Sequence, residues 1–382
     1  MPPIRTMRSS GVSVGFVWEG LPLYAARQIS ALRSIEDLAV TVVGSRPPFP
    51  TTEIDRTIAF PIHWYDGGTD TPSWGDVTAR IPDVVFATGW AFPLCTRLAA
   101  EAKQQGHAVV CMADNRRRHT VRQLLGAIRF RLGLRAQFDR FFVPGHGARS
   151  LMRFFGVPDA HVREGLYGAD PALFNASSAA SRRPKIILFV GQMVHRKGVD
   201  VLLEGFQASG LLARGWRLRC IGDGPLAAVA AATPGCEYLP FCDSETVARH
   251  LAEARVFILP SRNDNWGVAL HEAALGRCVL AASSTVGATY ELMPEDSPLK
   301  FAPGSAAAIR DALAHVSELS DEAVDALADS AHARACDFGP ERFAREVAGF
   351  VTDLTGVRLT ARETPQAGHS HDAAGNGAGL RA

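Results

Sequence analysis

The sequence predicts an α/β protein of two domains, each a parallel sheet with helices on both faces. Three observations predict it. Short apolar runs alternate with helical stretches along the chain, the pattern of parallel strands joined by helical crossovers. After a polar, small-residue segment at 169–184, the series strand, Gly-rich loop, helix begins again. The 382 residues, 47% hydrophobic and 21% charged, suffice for two cores.

Composition also narrows the function classes. Lys and Arg number 40 against 39 Asp and Glu, so the net charge of +1 offers no field for nucleic acid. The seven Cys are widely spaced with no C-x-x-C pair, as expected of buried thiols in a reducing, cytoplasmic compartment. The opening MPPIRTMRSS lacks the apolar core of a secretory signal. The longest nearly apolar run, 267–288, contains His271, Glu272 and Arg277 and reads as helix, strand and turn rather than a membrane span.

In the first half, 11–18 reads as a strand. Glu19-Gly20-Leu21-Pro22 is a turn into a helix over 23–33, with Pro22 early in it. Strands follow at 39–44, 83–89 and 108–113, with a helix over 91–105. The Pro/Gly-rich segment 47–76 holds at most a short strand at 57–64. Residues 114–140 carry Arg116, Arg117, Arg118, Arg122, Arg129, Arg131, Arg135 and Arg140 against Asp114 and Asp139. Val121, Leu124, Leu125, Ile128 and Leu132 fall at helical spacing within it. Such a basic amphipathic helix suits an anionic membrane surface or a phosphate-bearing acceptor, and equally a solvated Arg face. A strand at 139–144, a helix at 147–156 and a strand at 162–168 close this half, which spans 1–168; 169–184 is the linker.

In the second half, 185–339, strands are expected at 185–191, 216–221, 236–241, 256–259 and 278–282. Helices fall between them at 199–212 and 244–254 and after them at 306–316, 321–335 and 340–353. Residues 357–382 have the composition of a disordered tail. His369 and His371 in that tail read as polar residues rather than ligands.

Three constellations fall at successive strand ends, where open parallel sheets bind ligands. The first runs from Gly191 and Gln192 to Arg196, Lys197 and Gly198, and places two cations before a helix. It is no P-loop, because G-x-x-x-x-G-K-S/T is absent. The second is Gly222-Asp223-Gly224-Pro225. The third organises the rest: Asp264, Asn265, Trp266 and Gly267 open a helix beginning near Val268 and carrying Glu272. A helix start offers N–H groups to an anion, and carboxylates beside it can hold hydroxyls. The same residues also read as a helix cap, at Asp264 or Asn265, plus one solvated Glu.

Together the motifs resemble the nucleotide-sugar domain of retaining GT-B glycosyltransferases of family 4. The resemblance rests on Phe189-Val190-Gly191, Arg196-Lys197-Gly198, Gly222-Asp223-Gly224-Pro225, Pro260-Ser261, and an E-x7-E-like pair, Asp264 and Glu272, enclosing Trp266-Gly267. Ser284-Thr285-Val286-Gly287 with Glu291-Leu292 completes it, and REGLYGADPALF resembles the crossover between domains. The match covers roughly 141–292. Three departures stand out: Asp264 is one methylene shorter than the family's Glu, Gln192 stands for an Arg, and Asp114 falls where many relatives carry a His.

The resemblance implies a GT-B fold, two Rossmann-like domains facing across a cleft, with a last helix at 340–355 crossing back. It implies a sugar moved from a nucleoside-diphosphate sugar to a hydroxyl of a glycan or lipid-linked acceptor, with retention and without metal or other cofactor. Glu272 would take the ribose. Arg196 and Lys197, beside Gly191 and Gln192, would take the diphosphate. Asp264, with the backbone of Asn265, Trp266, Gly267 and Val268, would orient the sugar, and Phe241 would flank the base. Catalysis falls to Asp264, Glu272, Lys197 and Arg196, and the acceptor side to Gly20, Asp114 and Arg116. The alternatives are a GT-B-fold epimerase and a non-catalytic sugar-nucleotide binder. Location would be cytoplasmic, or peripheral at the inner membrane face.

Overall fold

A computed structural model describes residues 11–47, 51–66, 71–118 and 120–360. Its first sheet is parallel throughout, in the order β3-β2-β1-β4-β5-β6-β7. The strands are β1 Val12–Trp18, β2 Leu38–Ser45, β3 Ile62–Tyr65, β4 Val84–Thr88, β5 Ala108–Met112, β6 Arg140–Val143 and β7 Val162–Glu164. The second sheet, also parallel, runs β10-β9-β8-β11-β12-β13. Its strands are β8 Ile186–Val190, β9 Arg217–Ile221, β10 Cys236–Leu239, β11 Val256–Leu259, β12 Val279–Ser283 and β13 Lys300–Phe301. Both sheets reverse strand order beside their first strand, which makes each doubly wound.

Helices fill the connections: α1 Leu23–Ser30, α2 Thr52–Thr57, α3 Trp74–Val77, α4 Pro93–Gln104, α5 Val121–Arg129 and α6 His146–Phe154 in the first half. The second half carries α7 Val199–Ala208, α8 Ala227–Ala232, α9 Ser244–Glu253, α10 Val268–Leu275, α11 Thr289–Leu292, α12 Ala306–Glu318, α13 Asp321–Ala335 and α14 Pro340–Thr355. Central strands such as β4 and β11 are buried along their whole length, because helices cover both faces.

Several local expectations change. The segment 47–76 builds two short helices, α2 and α3, and places its strand at Ile62–Tyr65 rather than 57–64. Edge strand β13 carries no alternating pattern that marks it in the sequence. The segment 169–184 is packed, not loose. Buried Arg183 donates to the carbonyls of Leu251, Ala254 and Gly276 at 3.2, 3.1 and 2.9 Å. Of the tail, residues 357–360 are placed, and Glu36 N–H donates to the Thr360 carbonyl at 3.1 Å. Residues 361–382, including His369 and His371, lie outside the described residues.

Helix α14 returns to the first sheet. Phe343 packs on Phe16 and Phe142, and Phe350 on Phe86 and Phe142. Arg163 on β7 holds it by Glu346 at 3.0 Å and Asp353 at 2.9 Å. Both chain crossovers meet at buried His271: its Nδ1 accepts from Ala169 N–H at 2.9 Å, and its Nε2 lies 2.9 Å from the Ala335 carbonyl.

Candidate active site

In the second sheet the order reverses between β8 and β11, so the loops leaving those strands open a crevice at their carboxyl ends. The loop after β8 makes one 3₁₀ turn, His195–Lys197, and ends at Gly198 with φ +74°. A Cβ on Gly198 would stand 2.1 Å from the Pro260 carbonyl oxygen, so only glycine lets the two loops meet here. Their meeting brings Lys197 Nζ within 2.5 Å of Asp264 Oδ2, with 17% and 13% of the two side chains exposed. Ser261 Oγ lies 3.3 Å from the same carboxylate oxygen.

The Gly222–Pro225 loop backs this arrangement: Met193 N–H donates to the Asp223 carbonyl at 2.8 Å, and Leu226 N–H to the Met193 carbonyl at 2.9 Å. Asp264 is fixed by its own backbone, which pairs with Thr285 and Gly287. A Cβ on Gly287 would stand 1.9 Å from the Asn265 carbonyl oxygen. Neither Asp264 nor Asn265 caps α10; Gly267, with φ +87°, precedes the helix without a side-chain cap. The first N–H groups of α10 therefore remain available to an anion.

Arg196 is exposed at the rim, where it donates to Gln192 Oε1 at 3.1 Å and to the Asn263 carbonyl at 3.3 Å. Gln192 thus braces the cation beside it. Gly191 lies between, its N–H bonded to the Ile221 carbonyl at 3.0 Å. Trp266 turns its ring inward onto Phe338, so only its backbone faces the loop. Glu272 is half-buried in α10, without a side-chain partner among the described residues. Burial pushes its pKa up to about 7, against the pull of Arg27 on α1. Phe241 is not drawn into this cluster; it stands exposed beyond edge strand β10.

The first sheet supplies the facing wall. Gly20 sits in the turn after β1, with φ +59° and open space where a Cβ would be. Asp114 follows β5 and receives the Tyr167 hydroxyl at 3.3 Å. Burial raises the pKa of Asp114, as does the charge of Asp264, while hydrogen bonds from Asn265 and Tyr167 pull it down. Tyr24 packs edge-on against Tyr167 at 5.2 Å between ring centroids. Arg118 crosses the cleft to donate to Asn265 Oδ1 at 2.8 Å.

Beside this wall is a cavity of about 490 Å³ lined by Arg116, Arg117, Arg118, Arg262, Tyr290 and Thr285, among others. Arg116 is half-buried, and burial followed by the charge of Arg118 lowers its pKa. Arg117 rests on the Phe154 ring at 4.8 Å. Among the described residues no group of three or more His, Cys, Asp or Glu is placed to hold a metal ion.

Lys197, Asp264, Asn265 and Asp114 thus converge from three loops, with Arg196 and Gln192 on the rim. Sequence reasoning did not single out Tyr24, Tyr167 or Arg262, and it took Arg118 only as part of the basic run. Tyr167 lies inside the crossover motif. Arg262 is fixed by two 2.7 Å bonds to Asp200, a pairing across 62 positions that no local pattern marks.

Residues 184–318 match the family model for "Glycosyl transferases group 1". No curated protein matches the sequence significantly. Among solved structures, Anabaena Alr3699/HepE in complex with UDP and glucose superposes with TM-score 0.68 at 12% identity, over 90% of this chain and 100% of that one. Sucrose-phosphate synthase from Thermosynechococcus elongatus superposes with TM-score 0.69 at 16% identity, over 90% and 99%. The lipopolysaccharide outer core galactosyltransferase WaaB, in apo form, gives TM-score 0.61 at 12% identity, over 90% and 99%. With two facing doubly wound sheets, the chain has the GT-B fold, and its second half is similar to the group 1 glycosyltransferases over residues 184–318.

Proposed function

We propose that the protein is a retaining glycosyltransferase that moves a sugar from a nucleoside-diphosphate donor to an acceptor hydroxyl without a metal ion. The observation that carries this reading is the meeting of Lys197 and Asp264 at the reversal point of the second sheet, opposite Asp114 and Tyr167. The family match over the same loops supports it, as does the UDP-glucose complex of Anabaena HepE, which makes a UDP-sugar the first donor to try.

In this reading the diphosphate lies against Lys197, Arg196 and the start of α10. The sugar hydroxyls meet Asp264 and the backbone of 265–268, and the ribose meets Glu272. Phe241, exposed in the loop beyond edge strand β10, flanks the base. The bond between the anomeric carbon and the diphosphate oxygen breaks as the acceptor oxygen bonds to that carbon on the same face. The acceptor proton passes to the departing phosphate. The charge growing on that phosphate is what the cations and N–H groups stabilise, so they act most in the transition state.

Gly20, Asp114 and Arg116 belong to the acceptor side. The arginines of the adjoining cavity favour an acceptor with an anionic group next to the glycan hydroxyl that reacts.

The test is a thermal-shift panel of UDP-, GDP- and ADP-sugars, followed by turnover of the donor that binds. Lys197→Ala is expected to keep the fold and lower turnover by roughly 100- to 1000-fold. A donor epimerised with no acceptor present points to the epimerase instead. Binding with no turnover in the parent protein points to a non-catalytic binder. Anomeric configuration of the product by NMR decides retention.

A further inference from the structure

The arginine-rich run of the first half does two separate things in the fold. Arg116, Arg117 and Arg118 turn into the cavity between the sheets. The helix that follows, α5, turns its apolar side outward. Val121, Leu124, Leu125, Ile128 and Leu132 are 51–83% exposed, and they account for five of the ten large exposed hydrophobic residues of the described structure. At 3.6 residues per turn Val121, Leu124, Leu125 and Ile128 fall in one stripe of roughly 100°, and Leu132 follows them in the π-helical turn Phe130–Leu134. Arg122 and Arg129 flank it, both exposed and without a hydrogen bond or ion pair among the described residues.

The stripe does not belong to a detached helix. Ala127 and Phe130 hold the opposite side in the core, where Phe130 packs against Phe155 and Trp90 at 5.1 Å between ring centroids. Arg131 donates to the carbonyls of Phe154 and Phe155 at 2.8 and 3.1 Å. Thr120 caps the first turn by accepting from Gln123 N–H. The outward face is therefore a fixed surface feature. A rigid apolar stripe edged by free arginines has the chemistry of an interfacial helix: side chains for the acyl boundary and cations for anionic headgroups.

We propose that α5 and the turn after it dock this protein onto an anionic lipid surface. The helix is also tied to the cavity beside the cleft. The Gln123 side chain donates to the Arg116 carbonyl at 2.8 Å and accepts from Arg118 N–H at 2.7 Å. Docking through α5 consequently fixes the Arg116–Arg118 loop relative to the bilayer and sets the mouth of that cavity at headgroup level. This surface does not depend on which donor occupies the second sheet, or on whether any does.

The test is co-flotation of the full chain with vesicles of phosphatidylcholine alone and of phosphatidylcholine mixed with phosphatidylglycerol, at low and high salt. The parent protein is expected to float with the mixed vesicles at low salt and to be released by high salt. Leu125→Asp with Leu132→Asp, both at exposed positions, should lower binding about tenfold or more with an unchanged thermal midpoint. Arg122→Gln with Arg129→Gln should lower binding to the mixed vesicles by about fivefold per arginine and leave binding to phosphatidylcholine unaltered.

Failure of the parent to float with mixed vesicles overturns the proposal, as does equal flotation of the Asp variant. Arginine variants that bind as the parent does overturn the anionic assignment. A parent dimer that the Asp variant converts to monomer, with no vesicle binding, assigns the stripe to a second copy of the chain. Because vesicle binding is read without donor, failure here leaves the transferase reading standing, and failure of donor turnover leaves this one standing.

Discussion

Glu272 sits half-buried in α10 with no hydrogen-bond partner for its carboxyl group among the described residues, and burial lifts its pKa to about 7. Two consequences of opposite sign follow. The folded value lies above the ordinary 4.5, so what this group contributes to stability is fully present below pH 4.5 and is lost as pH rises through 7. In the proposed donor site, where Glu272 takes the ribose, binding moves the other way, because only the carboxylate accepts two hydroxyl hydrogen bonds. Affinity for UDP is expected to fall as pH drops through 7, by up to about tenfold per unit. Titration calorimetry on either side of that value checks it. Glu272→Gln should bind UDP more weakly with little pH dependence; an equally steep profile in the variant would remove Glu272 from the ribose.

At the scale of elements, the site depends on two loops brought into contact by the shape of one residue. Gly198 ends the turn after β8 in a left-handed conformation, with its α-hydrogen side against the Pro260 carbonyl. Gly198→Ala is expected to cost about 1–3 kcal/mol of stability from the strained φ alone. The new methyl group must also push the loops apart, which separates Lys197 from Asp264. Chemical denaturation together with UDP titration measures both effects. Full donor affinity in a destabilised variant would mean that the contact of the loops is not what the donor needs. Helix α10 illustrates the complementary point. Its start is set by Gly267 rather than capped by Asp264 or Asn265, which leaves Asp264 free to meet Lys197.

Across the whole molecule the two halves share one buried apolar cluster and are joined by specific polar contacts. His146 N–H, at the start of α6, donates to Glu291 Oε1 at 2.6 Å, and Ser244 Oγ lies 3.0 Å from Glu53 Oε1. His271 ties both crossovers, and burial pushes its pKa down from 6.5 to about 4. An unfolded chain then binds the extra proton between those values, so the contribution of His271 is present above pH 6.5 and is lost as pH falls towards 4. The loss amounts to about 3 kcal/mol at the acid end. Denaturant titrations over that range check it. His271→Gln should be less stable than the parent near neutrality, and the gap should narrow as pH falls. A gap that stays constant would show that His271 does not titrate with unfolding.

The alternation of apolar runs and helical stretches already implied parallel sheets, because buried strands and amphipathic helices each have a period that can be read locally. The meeting of Lys197 with Asp264 was legible for a similar reason: glycines and charged residues at strand ends mark loops that open where parallel sheets bind ligands. The order of strands, the packing of 169–184 and the short helices of 47–76 were not legible, since each depends on partners distant in the chain. The same holds for the Tyr167–Asp114 contact and for the Arg262–Asp200 pair. In α5 the spacing of Val121, Leu124, Leu125, Ile128 and Leu132 is visible in the sequence, but periodicity only says that one side of a helix is apolar. Whether that side meets the core or the outside was decided by Ala127 and Phe130, which fill the space against Phe155 and Trp90 and turn the leucines out.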